Sequence, residues 1–238
     1  MAPVTIEALR EGTLLLFDKP MYWTSFDLVN KVRNIVKGVT GEKKIKVGHA
    51  GTLDPLATGL MIVCTGRQTK SITAMVGLDK EYVATLKLGS TTPSFDLESA
   101  PDRFFPVSHI TDELIGSVIV KFMGEQLQTP PAFSAKLIDG KRAYEYARKG
   151  DMREPAPVTI VIREMEVMRF SGDELTVRVL CSKGTYIRSL ARDIGFALGS
   201  GAHLISLKRT MIGDYKLSDA VSPENFEKYA GLLKQTAK

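Results

Sequence analysis

The chain has 238 residues, 44% of them hydrophobic, and a formal net charge of +5. That apolar content supports a core for one large domain or two small ones, and the basic excess suits a polyanionic partner without identifying it. No run approaches the ~20 apolar residues of a membrane span, and the opening MAPVTIEALREG has no basic segment leading into an apolar one, so a cytoplasmic protein is expected. The two cysteines, Cys64 and Cys181, lie far apart, with Cys64 inside the apolar run LMIVC, which fits buried thiols in a reducing compartment.

In chain order, TLLLF (13–17) is a short apolar run stopped by Asp18, Lys19 and Pro20, and it predicts a buried strand. In TSFDLVNKVRNIVKG, Leu28, Val29, Val32, Ile35 and Val36 recur at helical spacing. Thr24 or Ser25 can cap the start, and Gly38 is expected to close the end. Six Lys or Arg residues against Glu42 alone lie between Lys31 and Lys46, leading into GHAGTLDPLATG (48–59). LMIVCT reads as a buried strand, and EYVATLKLG alternates so that Tyr82, Ala84, Leu86 and Leu88 share one face. A helix is predicted over 112–122, capped by Thr111.

Residues 129–157 are polar and punctuated by proline, and they read as an excursion inserted in the main pattern, with one short helix in RAYEYARKG. Two alternating runs around SGDE (171–174) predict a hairpin. GTYIRSLARDIGFALG sets Ile187, Leu190, Ala191, Ile194 and Leu198 on one helical face, HLISLKRTMIGDYKL predicts paired strands, and SPENFEKYAGLLKQ a closing helix. Strands and helices interleave without a βαβ rhythm. The expected class is α/β in the α+β sense: a mixed, mostly antiparallel central sheet flanked by helices, in a single domain over 1–238.

Several chemistries lack their residues. No glycine-rich stretch ends in Gly-Lys-Ser/Thr, GHAGTLDPLATG lacks dinucleotide-binding spacing, and His49, His109, His203 and the two cysteines form no zinc-ligand pattern, so no metal and no cofactor is expected. A Cys181–His203 thiol pair is disfavoured because Cys181 falls on an apolar-alternating strand. A glycosidase would need a second catalytic carboxylate, and no other acid shares a comparable motif.

Asp54 remains, framed by glycines and followed by Pro55. Asp-Pro pairs ordinarily make turns. Yet an ordinary aspartate, with a pKa of about 3.9, is an anion at neutral pH and can attack without a base to activate it. A cation that fixes its orientation would help, and the planar fork of Arg188 is a candidate.

Four blocks, GHAGTLDPLATGLMIVCTGRQTK, KEYVATLKLGSTTPSFD, FSAKLIDGKRAYEYARKG and CSKGTYIRSLARDIGFALGSGAHLISLKRT, together resemble the bacterial TruB family of tRNA pseudouridine synthases, in the family's order and over most of residues 12–217. The resemblance implies the pseudouridine synthase fold and isomerisation of uridine 55 in the T-loop of tRNA, without cofactor. Asp54 matches the family's nucleophile, Tyr82 its base-stacking tyrosine and Arg188 the basic partner of the aspartate. His49, Tyr186 and Leu207 match further substrate contacts. The residues do not choose between attack at C6 of the uracil and at C1′ of the ribose.

The insertion 129–157 corresponds to a mobile, thumb-like segment that closes over RNA, and Lys136, Lys141, Arg142, Arg148 and Lys149, with Lys19, are the expected RNA-binding cations. The implied partner is tRNA through its T-arm, with no obligatory protein partner and a monomeric chain. An RNA-binding or tRNA-folding protein that uses the same surface without catalysis is the alternative.

Two departures stand out. The family's Lys-Pro-x-Gly-x-Thr-Ser motif reads KPMYWTS here, so the local turn around Tyr22 and Trp23 is expected to differ; and about twenty residues follow the last matched strand, too few for a C-terminal PUA domain, so a short form is expected.

Overall fold

The computed structural model describes residues 4–236. The chain divides into two compact units, one made of residues up to Lys80 together with those from Lys208 onward, the other of Glu81–Leu207.

In the first unit the apolar run forms the strand Leu14–Lys19, antiparallel to Ala57–Thr65 with Leu14 opposite Cys64 and Lys19 opposite Gly59. Val47–His49 also pairs antiparallel with Ala57–Thr65. The strand Ala202–Ile212, which belongs to this unit from Lys208 on, lies beside Ala57–Thr65 and turns back into Tyr215–Lys216. Helix Ser25–Thr40 starts at a reciprocal cap, in which the Asp27 amide donates to the Thr24 hydroxyl and the Thr24 amide to the Asp27 carboxylate.

This helix buries Leu28, Val29, Val32, Ile35 and Val36, as its spacing predicts. It does not end at Gly38. A glycine inside a helix costs only about 1 kcal/mol, and the left-handed residue that stops the helix is Gly41, at φ 76. A short helix, Ile6–Glu11, capped by Thr5, carries no long-period signal and was not expected. The closing helix Pro223–Thr236 sets Phe226 edge-on against Phe17 at 5.2 Å. Cys64 sits in the core with Leu16, Leu60, Ile62 and Ile212, and burial pushes its thiol up to about 11, which leaves it a poor nucleophile.

The second unit is built on the hairpin of Val158–Ser171 and Glu174–Cys181, closed at Gly172 with φ 64. Gly124–Gln128 pairs antiparallel with Val158–Ser171, and Lys80–Leu88, which belongs here from Glu81 on, lies beside Glu174–Cys181. Burial alternates along Lys80–Leu88, so Tyr82, Ala84, Leu86 and Leu88 do share the buried face. Helix Asp112–Lys121 is capped by the Thr111 hydroxyl, and helix Ile187–Ala197 buries Ile187, Leu190, Ala191 and Ile194.

Within 129–157 the expected short helix is Ala143–Ala147. It follows a small hairpin, Leu137–Ile138 with Lys141–Arg142, whose turn residues Asp139 and Gly140 take φ 50 and 78. Antiparallel strand pairs and flanking helices together give the α+β class that the sequence indicates.

Gly59 has φ 104, and a Cβ there would collide with the Arg209 carbonyl oxygen and stand 2.7 Å from the Arg209 amide nitrogen. Gly59→Ala combines backbone strain with overpacking, and should lower stability by about 2–4 kcal/mol in urea unfolding, whereas Gly38→Ala, in open space, should not destabilise.

Candidate active site

The segment carrying Asp54 has no regular structure of its own between the strands Val47–His49 and Ala57–Thr65, so its backbone groups need partners from elsewhere. Three side chains supply them. Buried Ser25 accepts from the Leu53 amide at 2.9 Å and donates to the Leu53 carbonyl at 3.0 Å. Arg209, 1% exposed, donates to the carbonyls of Leu60 (2.8 Å), Gly51 (3.1 Å) and Thr52 (3.3 Å).

Lys19, 0% exposed, donates to the carbonyls of Trp23 (2.6 Å) and Pro20 (2.9 Å) and more distantly to that of Pro55 (3.5 Å). The Tyr22 amide donates to the Pro55 carbonyl at 2.7 Å, and the Ala57 amide closes a turn onto the Asp54 carbonyl at 3.1 Å. Asp54 is thus half-buried at the centre of a loop held from both sides.

The electrostatics of this loop are set by its two buried cations. Burial pulls the Lys19 ammonium down to about 8; the Asp54 carboxylate opposes that fall, while Arg209 adds to it. A carboxylate on a loop fixed in this way keeps its direction, as a nucleophile requires. The burial of Lys19 corrects one expectation, because an ammonium enclosed by main-chain carbonyls is withdrawn from phosphate contact. It holds the loop instead.

In the turn beside it Tyr22 takes φ 69, the left-handed conformation glycine favours. His49, at the end of Val47–His49, has a buried Nδ1 with no hydrogen-bond partner. Burial, aided by Arg209, holds the imidazole below its ordinary range, and the nearby Gly51 backbone offsets only part of this. The ring is therefore neutral at pH 7.

The remaining expected residues belong to the second unit. Tyr82 lies near the start of Lys80–Leu88 and is 8% exposed. Tyr186 caps helix Ile187–Ala197, and buried Gln128 grips its backbone twice, Oε1 accepting from the Tyr186 amide at 2.8 Å and Nε2 donating to its carbonyl at 3.1 Å. Arg188, in the first turn, is buried, with Nε 3.5 Å from the Asp96 carboxylate and its two outer nitrogens donating to the carbonyls of Ser94 (3.2 Å) and Phe133 (3.0 Å). Leu207 is half-buried in Ala202–Ile212.

In the insertion Lys141, Arg142, Arg148 and Lys149 are exposed and Lys136 is half-buried, with Arg148 lying over the Tyr144 ring at 5.2 Å. Asp96, Gln128 and Arg209 were not singled out from sequence, and Ser25, read there only as a possible helix cap, bonds Leu53 instead. Asp96 ends the block KEYVATLKLGSTTPSFD and Arg209 lies in LISLKRT, but nothing local to either announces a buried polar role. Among the described residues no three His, Cys, Asp or Glu side chains gather as a metal site requires.

Residues 37–187 match the family model described as TruB family pseudouridylate synthase, N-terminal domain, and residues 188–238 match the tRNA pseudouridylate synthase B C-terminal domain, past residue 217 where the motif resemblance stops. The chain is 55% identical over 220 residues to tRNA pseudouridine synthase B of Phocaeicola vulgatus, covering 92% of this chain and 94% of that one. It is 57% identical over 218 residues to that of Parabacteroides distasonis, with 92% and 93% covered. The Chlorobium luteolum protein of the same name is 48% identical, with 95% of this chain and 77% of that one covered.

Among solved structures, a chain of a Cbf5–Nop10–Gar1 complex superposes with TM-score 0.74 at 28% identity, covering 99% of this chain. A chain of the archaeal box H/ACA sRNP Nop10–Cbf5 complex does so with TM-score 0.70 at 27% identity, covering 98%. The chain spans 59% and 58% of those two longer chains. With two family models together matching residues 37–238 and relatives at this identity over nine-tenths of its length, the chain belongs to the TruB family of pseudouridylate synthases.

Proposed function

We propose that the chain is a tRNA pseudouridine synthase that converts uridine 55 of the T-loop into pseudouridine. The observation that carries this reading is the loop in which buried Lys19, Arg209 and Ser25 fix the backbone on both sides of Asp54. It presents a carboxylate in a fixed position, as nucleophilic catalysis without a cofactor needs. The relatives named tRNA pseudouridine synthase B support the substrate class.

A uridine stacked in the T-loop is extruded first, at a cost of roughly a few kcal/mol, which stacking on the Tyr82 ring and edge contacts offset. The Asp54 carboxylate adds to the uridine and the N1–C1′ bond breaks. The detached uracil turns, C5 bonds to C1′, the bond to Asp54 breaks and returns its electron pair to the carboxylate, and the C5 proton is lost while N1 gains one, so the reaction is an isomerisation with atoms and electrons conserved.

Arg188 is the basic residue assigned to the reaction by the family resemblance, its fork held by Asp96 and two carbonyls, and the cations at Lys141, Arg142, Arg148 and Lys149 meet phosphates. His49, neutral and half-buried, supports the extruded loop, with Tyr186 and Leu207 as further substrate contacts. The chain acts as one catalytic domain on the T-arm.

Incubation with unmodified tRNA and mapping of pseudouridine by chemical labelling tests the reading: product is expected at position 55, and its absence there sinks it. Asp54→Asn preserves shape and removes the anion, so turnover should fall at least about a thousandfold with tRNA affinity retained; activity within tenfold of wild type contradicts the nucleophile assignment. Arg188→Lys substitutes a point charge for a fork that serves Asp96 and two carbonyls together. Its kcat should drop at least about tenfold while circular dichroism shows the fold intact.

A further inference from the structure

Among the described residues three non-glycine residues hold positive φ: Tyr22, Phe95 and Asp139. Two have local reasons. Asp139 is the first residue of an Asp-Gly hairpin turn, where aspartate tolerates the left-handed region. Phe95 places its ring 4.7 Å beneath the Arg192 guanidinium, and its carbonyl accepts from the Leu204 amide.

Tyr22 differs from both. Its φ of 69 would be relieved by glycine, yet its side chain is 75% exposed, so core packing does not explain the tyrosine. Strain that persists without a packing reason points to use.

The position of the turn says what that use is. The Tyr22 amide donates to the Pro55 carbonyl, one residue past Asp54, so the ring rides on the loop that presents the carboxylate. The Lys19 ammonium binds the carbonyls of Pro20 and Trp23 on either side of Met21 and Tyr22, which holds the turn in place. Phe26 is 65% exposed and Met21 is also exposed, so three large apolar side chains reach solvent from one short stretch. The turn leads into helix Ser25–Thr40, and the exposed Lys43, Lys44 and Lys46 follow the far end of that helix, so the cations are not what places a base at Tyr22. An exposed aromatic ring on the loop of an RNA-modifying carboxylate offers its face to an unstacked base at the site itself.

We propose that Tyr22 is a stacking platform for an unpaired base of the RNA substrate, with Met21 and Phe26 forming its apolar border. This rests on the reading of the Asp54 loop as an RNA-modifying site and adds a contact to it. Tyrosine at a glycine-favouring turn then exchanges some fold stability for substrate affinity.

The test compares wild type, Tyr22→Gly and Tyr22→Phe for equilibrium binding of a fluorescein-labelled T-arm hairpin RNA at two salt concentrations, with melting temperatures of the same preparations. Tyr22→Gly should weaken binding about tenfold, as loss of one base stack does, with an unchanged salt slope because a neutral ring neutralises no phosphate. Its melting temperature should equal or exceed that of wild type, since glycine relieves the turn, and Tyr22→Phe should bind within about twofold of wild type.

Tyr22→Gly binding as tightly as wild type overturns the proposal. So does a wild-type dimer, seen by sedimentation, that the substitution dissolves, because the face would then belong to a second copy. Turnover of unmodified tRNA by wild type, assayed separately, decides the catalytic reading on its own; failure there and failure of the binding comparison are distinct results.

Discussion

Two buried cations and a loop of unpaired carbonyls satisfy one another, and the candidate active site of the first unit depends on that exchange. An isolated charge removed from water costs several kcal/mol, and an irregular loop brings main-chain carbonyls that would go unsatisfied. Lys19 and Arg209 each direct their donors at three carbonyls, most of them within or beside the stretch Gly51–Leu60. The carbonyl dipoles make burial of the cations tolerable, and the cations hold a loop that has no ladder of its own. Ser25 adds a two-way bond to Leu53 from the first turn of its helix. What results is an aspartate whose backbone cannot drift, near charges of the sign that steadies a carboxylate. Gly59 belongs to the same construction, since the Arg209 backbone crosses where a Cβ would stand.

The second unit applies the same physics with other groups. Gln128 grips both backbone groups of Tyr186, Ser189 donates to the Thr129 carbonyl, and Arg188 is fixed by Asp96 and two carbonyls. The first turn of helix Ile187–Ala197 is therefore positioned by polar bonds to Gln128, to Thr129 and Phe133 at the start of the insertion, and to the segment around Ser94. Anchoring of this kind contrasts with the later part of the insertion, whose Lys141, Arg142, Arg148 and Lys149 remain in solvent, where cations can follow a phosphate backbone. Fixed groups suit a reacting centre; exposed long side chains suit a charged, sequence-tolerant contact.

Where the sequence was legible, the reason was local. Helix spacing exposed the buried face of Ser25–Thr40, alternation placed Tyr82 on the inner face of its strand, and the Gly-Asp turn located the hairpin of the second unit. Each signal is set by residues within a turn or a pleat of one another. The end of the first long helix was misread because two glycines lay within reach, and a glycine inside a helix costs too little to stop it. The hairpin in the insertion was missed although Asp139-Gly140 is a strong turn signal, because its strands are only two residues long and give no alternation to read.

By itself the sequence determined most of the elements, their buried faces and, through four ordered motifs, the family, and it singled out Asp54 as the candidate nucleophile. The fate of Lys19, Tyr22 and Arg209 was decided only by the tertiary structure. A lysine after an aspartate at a strand end reads as a surface cation, and an arginine in an alternating strand reads as either face. Their partners are carbonyls, which every residue carries and no pattern marks, and for Arg209 these lie about 150 residues away along the chain. Tyr22 shows the same limit, since a side chain does not reveal the φ of its own backbone, and the bond from its amide to the Pro55 carbonyl exists only once the chain has closed on itself.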